Sequence, residues 1–107
     1  MRVRLAAPAR TELQEARRYY ERERPGLGLA FGKAVASACA RMGVMPRMYP
    51  VEFGGVRRCS LTRFPYKLLF AERADGIVVL AVTHHRRKPD YWIDRLALPD
   101  PDPDTDT

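Results

Sequence analysis

The sequence has few of the residues that mark disulfide-rich domains, metal centres or membrane spans. Its 107 residues include two cysteines, Cys39 and Cys59, and two histidines. So few cysteines exclude a disulfide framework, and neither has metal-ligand spacing, so both are interpreted as small buried hydrophobic residues. No apolar run approaches the ~20 residues of a membrane-spanning helix, and no signal-peptide core precedes the domain. These absences predict one soluble, cytoplasmic domain without a membrane partner.

Acidic residues are also scarce, except in the C-terminal tail. The chain has 19 lysines and arginines against 13 acids, a net charge of +6. Four acids, Asp100, Asp102, Asp104 and Asp106, lie in the segment LPDPDPDTDT, so residues 1–96 hold 19 cations and 9 acids. A body this basic attracts polyanions or an acidic protein segment, although a basic composition also serves solubility alone. The Pro/Asp-rich tail, residues 97–107, is expected to be disordered.

Hydrophobic periodicity changes twice along the chain, from a strand period to a helical period and back. Residues 2–6 alternate as a short strand, and two amphipathic patterns separated by Pro25 and Gly26 then predict an α-helical hairpin. From Val56 the period becomes two, and Asp75–Gly76 lies between two strand-like runs as in a β-hairpin. The predicted buried stripes of the two helices are Ala9, Leu13, Ala16 and Tyr20, then Leu27, Phe31, Ala34, Ala38, Met42 and Met45, with Glu12 and Glu15 among the polar faces.

These patterns predict an α+β domain over residues 1–96. It has an N-terminal strand, an α-helical hairpin and a three-stranded antiparallel meander, with the helices packed on one sheet face. Residues 77–82 are apolar on both faces, which favours a central strand. We expect the other sheet face to keep the basic residues, residues 46–55 to form a loop, and residues 93–98 to add one or two helical turns.

Cations dominate the predicted meander. Residues 57–88 contain eight cations and two acids. A surface of this kind binds phosphates, whereas the alternative is that arginine stems merely cover an open sheet. The residues predicted to contact a nucleic acid or another target are Arg57, Arg58, Arg63, Lys67, Arg86 and Arg87.

The segment AVTHHRRKPDYW, residues 81–92, holds the candidates for acid–base chemistry. His85, Arg87 and Tyr91 are the candidate catalytic residues. Adjacent histidines on an extended segment point to opposite faces, and a histidine that ends a strand is more often structural than catalytic. The sequence has no Gly-rich phosphate loop, nucleophile elbow or metal-ligand spacing, so we expect no metal and no cofactor, and enzymatic activity stays open.

Two motifs of the C-terminal half occur in a characteristic order. A basic strand leads to the turn Phe64-Pro65-Tyr66. After the hairpin comes an Ala-Val-x-His-x-x-Arg-x-Pro-x-x-Trp segment formed by Ala81, Val82, His84, Arg87, Pro89 and Trp92, with Arg95 three residues on. In this combination the chain resembles the ParE/RelE superfamily of type II toxin–antitoxin toxins. With the first strand and the helical hairpin, the resemblance spans residues 1–96.

The resemblance implies a growth-inhibiting cytoplasmic toxin, of the kind associated with plasmid stabilization. A cognate antitoxin, acidic and partly disordered, would neutralise it in a hetero-oligomer by folding over the helices and sheet. ParE-like members poison DNA gyrase and RelE-like members cut mRNA in the ribosomal A site, and the pattern here is closer to the ParE-like side. The implied function is therefore gyrase inhibition, with a ribosome-dependent mRNA endoribonuclease and a non-toxic basic binding module as alternatives. His84, Pro89 and Trp92 are expected to form a structural seam that fixes the last strand to the body.

Overall fold

A computed structural model describes residues 1–97 of the chain. Apart from Ala97, the tail predicted to be disordered lies outside the described residues. The elements are β1 (Val3–Leu5), α1 (Ala7–Glu23), α2 (Leu27–Val44), β2 (Val51–Phe53), β3 (Val56–Ser60), β4 (Tyr66–Arg73) and β5 (Gly76–His84), with 3-10 helices at Pro46–Met48 and Ile93–Ala97.

The strands form one mixed sheet in the order β1-β5-β4-β3-β2. β1 pairs in parallel with β5, and the other neighbours are antiparallel. The predicted α+β class, the N-terminal strand and the central position of the residue 77–82 strand are confirmed. The meander has one strand more than predicted, because β2 lies where a loop was expected. β2 has only three residues, between Pro50 and Gly54, which is too short for a detectable alternation.

Both helices cover one face of the sheet. The core on that face combines the helix stripes with alternate residues of β4 and β5, including Leu13, Phe31, Phe70 and Val79. The stripe prediction is wrong at Met45, which is 55% exposed because α2 ends at Val44. Glu21 joins the helices, since its carboxylate accepts the backbone N–H groups of Gly26 and Gly28 at 3.1 Å.

The opposite face of the sheet is also largely apolar, which corrects the expectation that it keeps the basic residues. β4 and β5 place Leu69, Val78 and Leu80 on this side, and apolar strand residues on both faces need cover on both faces. The C-terminal segment supplies that cover through Trp92, whose side chain is 1% exposed. A β-bulge at Leu69/Phe70 turns two consecutive β5 residues towards this second core.

α2 is long and apolar enough to pass a membrane-span test by length and composition, with a mean hydropathy of 1.2. The core helix of a soluble domain passes the same test, so one such helix is weak evidence for membrane insertion. Only 33% of its residues are buried. α2 therefore presents an unusually apolar surface to the outside.

Candidate functional site

The candidate site lies at the end of the sheet where β4 begins and β5 ends. Here β5 continues into residues 85–88, which we call the basic turn. The turn is fixed by backbone: the His85 N–H donates to the Pro65 carbonyl at 2.9 Å, and the Arg87 N–H donates to the His84 carbonyl at 3.0 Å. The His84 ring also accepts the Arg86 N–H at its Nδ1, 3.0 Å away. The side chains of Arg86 and Arg87 therefore project from a backbone whose conformation is fixed by hydrogen bonds.

An aromatic cluster supports this end of the sheet from the helical side. Tyr20 of α1 contacts Phe64 with ring centroids 4.9 Å apart, and Phe31 of α2 contacts Tyr66 at 5.0 Å. His84 lies against Tyr66 at 5.3 Å, edge to face. Rings with few rotatable bonds hold the Phe-Pro-Tyr turn and the end of β5 in a fixed relation. Burial raises the pKa of the Tyr20 and Tyr66 phenols, so both are neutral at physiological pH.

Three of the six predicted binding cations meet at this end. Arg86 and Arg87 are exposed in the basic turn, and exposed Arg63 lies on the neighbouring loop with its guanidinium 5.7 Å from the Phe64 ring centroid. Within residues 1–97, none of these three forms an ion pair with a carboxylate. They are available to an external anion.

The other three predicted cations are held elsewhere. Arg57 lies opposite Phe70 in the ladder and donates to the Tyr49 carbonyl at 2.7 Å. Arg58 and Lys67 lie on the second face, where both bond to Glu52, at 3.5 Å and 3.0 Å. The sequence predicted one continuous basic surface, but alternation along β3 sends neighbouring arginines to opposite faces.

The side chain of Tyr91 belongs to a partly buried polar cluster beside the basic turn. Its hydroxyl donates to Glu12 Oε2 at 2.6 Å, and Arg95 donates to both Glu12 oxygens at 2.8 and 2.9 Å. Burial, together with the hydrogen bond to Glu12, raises the pKa of the Tyr91 phenol. Burial, the largest single effect, lowers the pKa of Arg95, but the hydrogen bond and charge of Glu12 together with Tyr91 raise it by more, and the net direction is upward.

This Glu12 cluster seals an open strand edge. β1 pairs with β5 only as far as Val79, so the later backbone groups on that edge have no neighbouring strand. Glu12 Oε1 accepts the Val82 N–H at 3.0 Å, and Arg95 donates to the Leu80 carbonyl at 3.0 Å. Two side chains thus replace the missing strand, which satisfies backbone groups that would otherwise be buried and unpaired.

The three candidate catalytic residues do not form a hydrogen-bonded constellation among the described residues. The Tyr91 hydroxyl is engaged by Glu12, and the Arg87 guanidinium lies 4.0 Å from the Tyr91 ring centroid. His85 is exposed, and no hydrogen bond joins its ring to Arg87 or Tyr91. The geometry offers a cationic surface beside a phenol ring.

The expected seam residues lie along the path that leads from β5 to the second core. His84 closes β5, and the Pro89 carbonyl accepts the indole N–H of Trp92 at 2.7 Å. The Trp92 ring contacts Phe53 of β2 with centroids 6.3 Å apart. The indole covers the sheet, and attachment to helix α1 comes from Tyr91 and Arg95 through Glu12.

Comparison with known proteins identifies relatives of the folded domain. Residues 3–89 match the model of the ParE toxin of the type II toxin–antitoxin system parDE. The chain belongs to the ParE toxin family. A solved chain from a chromosomal ParDE toxin–antitoxin system of P. aeruginosa has the same fold, with a TM-score of 0.70 at 19% identity over 78% of this chain and 95% of that one. None of the curated protein sequences compared with the chain matches it.

The ParE family match includes Glu12 but ends before Tyr91, Trp92 and Arg95. Sequence reasoning placed Glu12 on a polar face of the first helix and missed its role, because its partner Arg95 is 83 residues away. The one available signal was Arg95 itself, which belongs to the family resemblance. A cation in that segment needs an acidic partner elsewhere in the chain. No three His, Cys, Asp or Glu side chains in residues 1–97 lie close enough to hold a metal ion.

Two of the depressions along α2 on the surface of this ParE family member differ in character. One, of about 400 Å³, separates α2 from residues 61–63 and is lined by Lys33, Ser37, Arg41 and Arg63. The other, which we call the α2 groove, has about 370 Å³ and is lined mainly by apolar residues, among them Leu13, Leu29, Ala36 and Cys39. Burial, with a smaller effect of nearby Cys59, raises the pKa of the Cys39 thiol to about 11.

Proposed function

We propose that the chain is a cytoplasmic toxin that inhibits DNA gyrase and is neutralised by a cognate antitoxin. The ParE family match over residues 3–89 carries the proposal. The cationic end of the sheet supports it, because a protein that acts on an enzyme with bound DNA benefits from a positive surface. Arg63, Arg86 and Arg87 are the residues proposed to contact the target.

Expression of the chain alone in a bacterium tests the proposed target. Growth arrest with DNA breaks and SOS induction, together with inhibition of purified gyrase, is the expected outcome. Arg86→Ala/Arg87→Ala should lose the effect, whereas Arg47→Ala, an exposed cation paired with Glu72 at the opposite end of the sheet, should keep it. Both variants must show wild-type circular dichroism. Arrest without gyrase inhibition would refute the target.

The outward side of α2 is the surface proposed to bind the antitoxin. Leu29 and Val44 are 55% and 78% exposed, and Ala36 and Ala40 lie exposed between them. An apolar helical surface flanked by Lys33 and Arg41 suits an amphipathic acidic segment that orders on binding. Cover of this surface would also remove a patch that favours aggregation.

A charge inserted into the α2 groove tests this surface. Ala36→Glu should weaken capture of the protein encoded beside the toxin gene by at least about tenfold, because a carboxylate would be buried against apolar side chains. Ala74→Glu, in the exposed β4–β5 turn, is the matched control and should bind normally. Equal binding by both variants would exclude the groove as the interface.

The mRNA endoribonuclease remains the second candidate because of one observation: the Arg87 guanidinium of the basic turn lies 4.0 Å from the Tyr91 ring centroid. RNA from the induced cells distinguishes it. Cleavage within codons at the ribosomal A site, lost in Tyr91→Phe and His85→Ala, would favour the nuclease over gyrase inhibition. Normal growth and intact RNA would favour a non-toxic binding module.

A further inference from the structure

The tail is the feature of the sequence that the proposed function leaves unexplained. Residues 98–107 contain four aspartates and no lysine or arginine. They follow the matched ParE family region, which ends at residue 89. The tail is thus an acidic addition to a basic domain.

The basic turn is a surface of the described chain whose arginines have no carboxylate partner. Three other cations of the C-terminal half have acid partners: Arg58 and Lys67 with Glu52, and Arg95 with Glu12. Arg86 and Arg87 are exposed and form no ion pair with a carboxylate in residues 1–97. Lys88 adds a third cation, whose contact with Asp90 is long, at 4.0 Å.

The connection between the turn and the tail is short. The guanidinium groups of Arg87 and Arg95 both lie on the Tyr91 ring, 4.0 Å and 4.9 Å from its centroid, so they are within about 9 Å of each other. Ala97 follows Arg95 by two residues. A ten-residue segment spans at most ~36 Å, which is long enough for the later aspartates of the tail to reach the turn.

We propose that the aspartates of residues 100–106 bind the basic turn of the same molecule and compete there with polyanions. One exposed ion pair is weak and is screened by salt. A short covalent connection compensates, because it keeps the carboxylates at an effective concentration in the millimolar range around Arg86 and Arg87. An external polyanion must then displace the tail, so its apparent affinity for the turn is lower than it would be without the aspartates.

Binding of a fluorescein-labelled twelve-nucleotide oligothymidylate to the full-length chain tests the proposal by anisotropy. The variant Asp100→Asn/Asp102→Asn/Asp104→Asn/Asp106→Asn keeps the length and removes the charge. At about 50 mM salt its Kd should be about three- to tenfold lower than that of the wild type. At about 500 mM salt the difference should disappear.

The same tail substitutions in an Arg86→Ala/Arg87→Ala background identify the site. If the tail binds the turn, they should change Kd by less than about twofold there and keep their full effect in an Arg47→Ala background. Equal effects in both backgrounds would mean that the tail acts through net charge alone and would overturn the proposal, as would no effect in the wild type. Amide shifts of His85–Lys88 between wild type and tail variant give a second readout, and their absence also contradicts the contact.

The test of tail binding is independent of the proposed gyrase target. The oligothymidylate assay measures competition at the turn in the purified chain, and the growth and supercoiling assays measure the toxin's target. A chain that inhibits gyrase without tail competition, or the reverse, separates the two proposals.

Discussion

Glu12 joins three parts of the molecule that are far apart in the sequence. Its carboxylate accepts four hydrogen bonds, from the Val82 backbone, the Tyr91 hydroxyl and two Arg95 nitrogens. Its side chain is 12% exposed and that of Arg95 is 16% exposed, so water screens the pair little. A buried charge of this kind is tolerated because each neighbour is complementary to it.

Removal of that charge should destabilise the fold. Glu12→Gln leaves the Arg95 guanidinium buried without its counterion and replaces one acceptor oxygen by a donor. We expect a loss of about 2–3 kcal/mol in the free energy of unfolding, measured by urea denaturation. Glu15→Gln, at an exposed position of the same helix, should change it by less than about 0.5 kcal/mol. Similar values for the two variants would mean that Glu12 is a surface residue in solution.

Tyr91 should make stability depend on alkaline pH. Burial and Glu12 raise the pKa of its phenol in the folded chain. A raised folded pKa means that the contribution is complete below the unfolded pKa of about 10 and is lost as pH rises through the folded pKa, because the unfolded phenol ionises first.

Denaturation at a series of alkaline pH values checks this prediction. The free energy of unfolding should fall more steeply above about pH 10 in the wild type than in Tyr91→Phe. Tyr20 and Tyr66 also have raised pKa values, so part of the slope should persist in the variant. Identical slopes would contradict the buried hydrogen bond to Glu12.

For single residues, the sequence predicts which face of a helix or strand a side chain occupies, but not which residues far away in the chain it contacts. The 3.6-residue period placed Leu13 in the core and Glu12 outside it, and Leu13 is indeed buried. The period carries no information on Val82 or Arg95, because those contacts depend on how β5 and the C-terminal segment return to α1. The same limit applies to Arg57 and Arg58. Alternation along β3 predicts that their side chains lie on opposite faces of the sheet, but it does not predict that Trp92 covers one of those faces.

The helical hairpin shows how closely two elements approach. A Cβ at Gly28 would lie 2.6 Å from the backbone carbonyl oxygen of Arg17, whereas a Cβ at Gly32 would lie 3.2 Å from Nε of the Arg17 side chain. The backbone of α1 cannot yield without moving the helix, but a guanidinium can rotate away. A side chain larger than hydrogen is therefore tolerated at Gly32 but not at Gly28.

Alanine at each glycine tests this difference within one helix. Gly28→Ala should lower the free energy of unfolding by about 1–3 kcal/mol, because α1 must shift to relieve the contact. Gly32→Ala should leave it unchanged or raise it by up to about 1 kcal/mol, since alanine favours the helix. Urea denaturation measures both, and a loss at Gly32 equal to that at Gly28 would refute the distinction.

Strand β5 explains why the second core was missed. Its six-residue apolar run predicted a strand covered on both faces, and both faces are covered. The covering segment, residues 89–97, has only one or two helical turns, which are too short to show a buried face, so its position follows only from the site that needs cover. Trp92 packs into that core, and the cations of the second face, Arg58 and Lys67, pair with Glu52.

The whole molecule consists of two hydrophobic cores that share one sheet. Phe70 and Val79 contribute to the helical core, and their neighbours Leu69 and Val78 contribute to the second core. Each central strand therefore belongs to both, so loss of one core should expose the backbone pairing that supports the other. Trp92, the single tryptophan of the chain, reports on the second core, and the α-helical circular dichroism reports on the first.

We therefore expect unfolding to be a single cooperative transition. Tryptophan emission and circular dichroism at the helix band should give the same urea midpoint and slope. Trp92→Ala should lower the free energy of unfolding measured by dichroism by about 3–5 kcal/mol, although Trp92 belongs to the second core and not to the helical one. Phe53→Ala, a half-exposed neighbour of the same indole, should have a smaller effect in the same direction. A red shift of Trp92 emission at urea concentrations that leave the helices intact would show instead that the C-terminal segment detaches alone, and the sheet would then support one core without the other.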